Sequence, residues 1–180
     1  MSEKIWYTYD EIHQAIRQLA QKIQASGTRY DAMIAIGGGG FIPARMLRCF
    51  LDIPIYAVTT AYYLSESSGE TAETVRKIQW LDPLPEPLRG KNVLVVDEVD
   101  DSRTTLAFCL RELQSEDLGH IGVAVLHNKL KPKCDTLPAG ISYYSGIEVE
   151  DWWINYPWDA NDIDAHNRKA ETAREEQAQQ

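Results

Sequence analysis

The sequence predicts an α/β fold: a mostly parallel twisted sheet flanked by helices, with a small hood. Three observations predict it. Ala32–Ile36, Val93–Val96 and Ile121–Leu126 are continuous apolar runs, as expected of strands buried on both faces. Other segments place apolar residues at three- and four-residue steps, the period of a helix with one buried face. Finally, the three runs end in polar or glycine-rich segments at Gly37, Asp97 and His127. In a parallel sheet such ends share the carboxyl edge, where ligands bind.

At 180 residues the chain is long enough for one domain with a real core. A single domain over 1–164 is expected, with a core over 28–130 and a hood from 1–10 and 131–164. The remainder, 165–180, is polar and reads as a solvated helix or frayed tail. The net charge of −9 argues against nucleic acid or an anionic membrane as partner. No apolar run approaches the ~20 residues needed to cross a bilayer. Met1–Asp10 lacks the charged-then-apolar layout of a signal peptide. Cys49, Cys109 and Cys134 are odd in number and widely spaced, so they read as reduced, buried thiols of a cytoplasmic protein.

In chain order, Tyr9–Ser26 is a helix with Ile12, Ile16, Leu19 and Ile23 on one face, Asp10 as its cap and Gly27 as its end. His13 reads as a surface residue without a role. After Ala32–Ile36 come four consecutive glycines, Gly37–Gly40, and Pro43 suits the first turn of a following helix. Glycines after a buried strand allow backbone to approach a ligand closely. Ile53–Thr59 then completes a βαβ unit with a right-handed crossover expected. Ala61–Lys77 is polar and without sustained period, so it reads as a long mobile loop, and such loops are often lids. Pro83, Pro85 and Pro87 break any helix, and Arg89–Lys91 turns the chain into the next strand. Thr104–Glu116 is a helix with Leu106, Leu110 and Leu113 on one side; Ile141–Ile147 and Trp152–Ile154 are short strands.

Asn92–Leu106 is the most informative stretch. A buried strand is followed by Asp97, Glu98, Asp100 and Asp101, then by Ser102, Thr104 and Thr105 at a helix start. One such residue would be an ordinary cap. Four carboxylates in five positions repel one another and go beyond capping. Carboxylates at a strand end can hold sugar hydroxyls or a metal, while amides and hydroxyls at a helix N-terminus bind phosphate.

This stretch resembles the signature of type I phosphoribosyltransferases: a hydrophobic strand, two acidic residues, two spacers, then Asp-Thr-Gly-x-Thr. Here Ser102 stands for the family's Thr and Arg103 for its Gly. The Glu98–Thr105 wording is similar to that of fungal hypoxanthine-guanine phosphoribosyltransferases. Trp153–Asp159 resembles the Trp-Ile-x-x-Pro-Trp-Asp segment of bacterial xanthine-guanine phosphoribosyltransferases.

The resemblance implies a type I phosphoribosyltransferase fold and transfer of a phosphoribosyl group from phosphoribosyl pyrophosphate to a 6-oxopurine. It implies a phosphoribosyl pyrophosphate site of Gly38, Gly39, Gly40, Lys77, Asp97, Glu98, Asp101, Ser102, Arg103, Thr104 and Thr105, with Asp101 as general base at the purine N7. Arg76 is the other candidate for the cation assigned to Lys77. Where many purine enzymes of the family carry Lys or Arg beside the glycine pair, this chain has Gly38. The purine site implied is Lys129 for the 6-oxo group, Trp153 for stacking, and Ile154 and Asn155 at the 2-position edge. Lys131 and Lys133 follow Lys129, as they would in a solvated lysine run. Trp152 and Trp158 read as packing. Mg2+ is the implied cofactor, with Asp97, Glu98 and Asp159 as its carboxylates, and a homodimer or homotetramer is the implied assembly. A regulatory protein that binds phosphoribosyl pyrophosphate or nucleotide without turnover is the alternative, left open by the departures at Gly38, Ala61 and Arg103. A phosphatase or nucleotide hydrolase on an α/β domain is a further one.

Overall fold

A computed structural model describes residues 3–67 and 70–178. In order the elements are β1 (Lys4–Trp6), α1 (Tyr9–Ala25), β2 (Ala32–Gly37), α2 (Phe41–Leu51), β3 (Ile55–Ser67), β4 (Glu70–Gln79), β5 (Val93–Asp100), α3 (Thr104–Gln114), β6 (Ile121–Lys129), β7 (Ser142–Val149), β8 (Trp153–Asn155) and α4 (Ile163–Ala178). Six strands form one sheet in the order β4-β3-β2-β5-β6-β7. Every pairing in it is parallel except β3 with β4. The expected α/β architecture is therefore present.

Alternation along the central strand builds two cores. Leu94 and Val96 face α1 and α2, where they join Ile12, Ile16, Leu19, Met33 and Leu47. Val93 and Val95 face the other way, toward Leu106, Leu110 and Leu113 of α3. A strand buried on both faces cannot alternate apolar with polar, which is why the run 93–96 is continuous.

Chain order in the sheet fixes where a ligand can enter. From β2 the chain moves to β3 on one side, and β5 then returns to pair with β2 on the other. Connections leave β2 and β5 in opposite directions, which opens a crevice at their carboxyl ends. Gly37 ends β2, and Asp97–Asp100 end β5.

Four readings are corrected. Ala61–Lys77 is mostly an antiparallel hairpin, paired from Thr59 with Gln79 to Ser67 with Glu70; Ser68 and Gly69 lie outside the described residues. Its signal was composition, since Thr and Tyr favour strands even without an apolar period. The central strand continues through Asp100, so three of the carboxylates are within it. Thr8, not Asp10, caps α1: its hydroxyl accepts from the Glu11 amide while the Glu11 carboxylate accepts from the Thr8 amide. Of the cysteines, only Cys109 is buried; all three are free.

Both chain ends meet in a second, two-stranded sheet, with β1 parallel to β8. The segment 165–178 is helical and docked: α4 buries His166 and Ala170, His166 Nε2 lies 2.9 Å from the Tyr7 carbonyl, and Arg174 pairs with Glu11. No helix among the described residues is long and apolar enough to cross a membrane. Thr8→Ala should cost about 1 kcal/mol in chemical denaturation, more than Asp10→Ala; equal costs would contradict the capping geometry.

Candidate active site

The crevice between β2 and β5 holds a cavity of about 350 Å3. Gly37, Gly38 and Gly39 form one wall; Asp97, Glu98 and Asp100 to Leu106 form the other, with Thr60 beside them. Of the residues assigned to phosphoribosyl pyrophosphate from sequence, the cavity therefore unites Gly38, Gly39, Asp97, Glu98, Asp101, Ser102, Arg103, Thr104 and Thr105. Gly40 and Lys77 are not in its lining. Gly40 is the packing glycine of the loop: a Cβ there would strike the carbonyls of Val96 and Ile36. Lys77 lies on β4, where its ammonium is 2.5 Å from Glu112 of α3 and above the Trp80 ring.

The glycine loop and the acidic strand touch. A Cβ on Gly39 would overlap the Glu98 carboxylate, whereas Gly38 has open space where a side chain would go. The peptide between Gly37 and Gly38 is cis.

Arg103 shows how the loop keeps its shape without the family's glycine. Its φ is +71°, in the left-handed region that favours glycine. The side chain compensates. Its guanidinium donates to Asp100 Oδ2 from Nε at 3.0 Å and from Nη2 at 2.7 Å, and it lies over the Tyr143 ring. Tyr143 also donates to Asp100 Oδ2, at 2.9 Å. The loop is thus held by contacts where a glycine would simply tolerate it.

Charges around the cleft are unevenly balanced. Burial, helped by Glu98 beside it, raises the Asp97 carboxyl well above the usual carboxylate range. Asp101 goes the other way. Burial opposes its ionisation, but Lys131 and Lys129 outweigh burial and hold its carboxyl below the usual range. Lys131 Nζ is 2.5 Å from Asp101 Oδ1, and Lys129 Nζ is 3.3 Å from Asp101 Oδ2. Asp151 bridges the same two lysines at 3.0 and 3.4 Å. The general base and the purine lysine proposed from sequence are therefore neighbours. Lys129, Lys131 and Lys133 are all at least partly buried, not a solvated run.

Trp153, Ile154, Asn155 and Asp159 line a different cleft, of about 520 Å3, with Trp6 and residues of α4. Trp153 is 62% exposed. The Asn155 side chain instead donates to the Ile5 carbonyl at 3.2 Å, tying β8 to β1. Trp158 packs, stacked on Tyr156 with ring centroids 4.4 Å apart. Tyr156 joins the two regions: its hydroxyl donates to the Glu98 carbonyl at 3.2 Å and lies 2.9 Å from His127 Nδ1. Burial pushes the His127 imidazole down to about 3, so it is neutral. Sequence reasoning gave no role to His127, Tyr156, Asp151, Lys131 or Lys133, because their roles come from tertiary contacts between distant segments.

A glycine loop, paired carboxylates and a hydroxyl-rich helix start around a switch-point crevice are the build of an α/β protein that binds a phosphorylated, hydroxyl-bearing ligand. Comparison with known proteins makes the class specific. The phosphoribosyl transferase domain model matches residues 8–161, and the chain belongs to that family. It is 42% identical to the hypoxanthine-guanine phosphoribosyltransferase of Schizosaccharomyces pombe, over 91% of this chain and 93% of that protein. It is 38% identical to xanthine phosphoribosyltransferase 1 of Saccharomyces cerevisiae, over 94% and 96% of the two chains. Among solved structures, a hypothetical protein from Neisseria gonorrhoeae with bound ppGpp is 70% identical, with a TM-score of 0.95 over 96% of this chain and 98% of that one.

Arg103→Ala should destabilise the protein by about 1.5–3 kcal/mol, because it takes the guanidinium from the buried Asp100 carboxylate and leaves Tyr143 and Lys133 as its partners. Arg103→Gly should cost up to about 1 kcal/mol less, since glycine accepts the left-handed backbone. Urea unfolding of both variants checks the order. Gly39→Ala should leave stability near wild type but abolish activity by displacing Glu98, while a Gly38→Ala side chain meets no protein atom and should leave stability unchanged.

Proposed function

We propose that the protein transfers the 5-phosphoribosyl group from phosphoribosyl pyrophosphate to N9 of a 6-oxopurine, hypoxanthine, guanine or xanthine, giving the nucleoside monophosphate and pyrophosphate in purine salvage. One observation carries this reading: a single crevice unites the glycine loop with Asp97–Thr105. The names of the two fungal relatives support the purine acceptor.

The chemistry suits the residues. Departure of pyrophosphate leaves positive charge on the ribose. Glu98 and Asp97 hold the ribose hydroxyls and stand near that charge, which they stabilise. Asp101 accepts the purine N7 proton, and Lys129 beside it binds the 6-oxo oxygen. Ser102–Thr105 receive the 5′-phosphate at the start of α3. Trp153 stacks on the base, with the region of Ile154 and Asn155 at its 2-position edge.

Magnesium fits this donor set. Mg2+ commonly takes one or two protein carboxylates and completes its shell with water and phosphate. Asp97 and Glu98 are adjacent in the cleft, and no group of three His, Cys, Asp or Glu that would cage a metal occurs among the described residues. Burial above all, and the Glu98 carboxylate beside it, raise the Asp97 carboxyl, and a bound cation would offset both. Asp159, which lines the neighbouring cleft with Trp153, would be the third carboxylate to hold magnesium. When bound, magnesium would neutralise pyrophosphate as it leaves. We place this activity in the cytoplasm, in a homodimer or homotetramer.

The ppGpp bound by the gonococcal relative supports a second reading, that this chain also binds that nucleotide.

The test offers hypoxanthine, guanine, xanthine and adenine separately, with phosphoribosyl pyrophosphate and magnesium. Nucleotide should form from one or more oxopurines, and Asp101→Asn should lower kcat by roughly 10²–10⁴. Tight phosphoribosyl pyrophosphate binding without product from any base would replace transfer by a regulatory role. Neither product nor binding would end the reading.

A further inference from the structure

The segment after β6 packs against the back of the acidic loop. Lys133 is the centre of that contact. Its side chain is 12% exposed, and its ammonium donates to three main-chain carbonyls: Asp100 at 2.6 Å, Lys129 at 2.8 Å and Asp101 at 3.0 Å. An ammonium has three donors, so its capacity is filled. The next residue continues the pattern, with the Cys134 amide donating to the Ser102 carbonyl at 2.9 Å. Arg111 of α3 then grips Asp135 through two hydrogen bonds, at 3.0 and 2.8 Å.

These contacts have a directional consequence. The peptides after Asp101 and Ser102 are trans, and in a trans peptide the carbonyl and the following N–H point in opposite directions. Pinning the carbonyls of Asp101 and Ser102 on the segment after β6 therefore turns the N–H groups of Ser102 and Arg103 the other way. Ser102 and Arg103 line the cavity, and Lys133 is not in its lining. Ser102 Oγ, 3.0 Å from Thr104 Oγ1, stands in the same turn.

We propose that Lys133 is a positioning residue that, with the Cys134 amide, holds the carbonyls of Asp100, Asp101 and Ser102 away from the cavity, so that the following N–H groups present an electropositive cradle to the 5′-phosphate. The inference rests on the reading of this cleft as a phosphoribosyl site. Lys133 touches no substrate. It acts by setting which side of three peptide planes faces the ligand, and its carbonyl contact at Lys129 keeps the purine lysine in step with that loop. An acidic protein gains from such a device, because oriented main-chain dipoles bind an anion without adding free cations.

The experiment compares Lys133→Met, which keeps a long apolar stem without donors, with Lys133→Arg, which keeps charge and donors. Titration calorimetry measures binding of guanosine monophosphate and of guanosine to each protein. Lys133→Met should weaken the monophosphate by about tenfold or more and leave guanosine unchanged. It should also raise the KM for phosphoribosyl pyrophosphate more than it lowers kcat. Lys133→Arg should recover part of the loss. If Lys133→Met does not fold, Lys133→Gln retains an amide donor and should show the same selective loss. Equal weakening of nucleotide and nucleoside, or no weakening of either, would overturn the positioning role. Wild-type protein that binds the monophosphate no better than guanosine would instead overturn the phosphate site itself.

Discussion

One buried carboxylate, Asp100, organises the loop on which the site depends. Its side chain is fully buried, and a buried charge is costly unless paired and hydrogen-bonded. Arg103 and Tyr143 both reach its Oδ2, and the Lys133 ammonium stands 3.7 Å from its Oδ1. These partners come from the turn after β5, from β7 and from the segment after β6. Pairing one carboxylate therefore draws three parts of the chain to the same point. Arg103 can occupy a glycine-like backbone position because this contact holds it there, so a departure from the family pattern becomes a structural anchor.

The same logic resolves the difficulty of an acidic protein binding a polyanion. The net charge is −9, yet Lys129, Lys131, Lys133 and Arg103 are gathered against Asp100, Asp101 and Asp151. Buried and half-buried cations act at short range and are poorly screened, whereas the overall charge acts across solvent and is largely screened beyond about 10 Å at 0.1 M salt. Local arrangement decides what the cleft attracts. Asp97 and Asp101, four residues apart, accordingly respond oppositely: one is desolvated beside another carboxylate, the other lies against two ammonium groups.

Much of this was legible in the sequence, for identifiable reasons. Strands buried on both faces announce themselves as continuous apolar runs, and Val93–Val96 is the clearest case. The glycines and hydroxyls of the cleft were legible because they lie directly after such strands. What escaped was set by distance along the chain. The hairpin over 61–77 looked like a loop because its stabilising partner is its own other strand and not a core with a period. Thr8 was missed as a cap because its reciprocal partner, Glu11, reads as an ordinary acidic first-turn residue. Lys133 looked like one more surface lysine; only the fold brings the carbonyls of Asp100 and Asp101 to its ammonium.

The two-stranded sheet that joins the chain ends is connected to the cleft through Tyr156. Its hydroxyl proton is committed to the Glu98 carbonyl, so its oxygen accepts from His127 Nδ1. That fixes the tautomer of a neutral imidazole, and Tyr7 covers the same ring at a centroid distance of 4.4 Å. Tyr7 in turn is held through its carbonyl by His166 of α4. The chain of contacts runs from the C-terminal helix, through the N-terminal segment and a buried histidine, to the main chain of a cleft carboxylate. Trp153 is three residues before Tyr156 and Asp159 three after it. The spacing between Trp153 and the acidic strand is therefore set by packed rings and not by a flexible loop, which is the condition for holding two reactants in fixed relation.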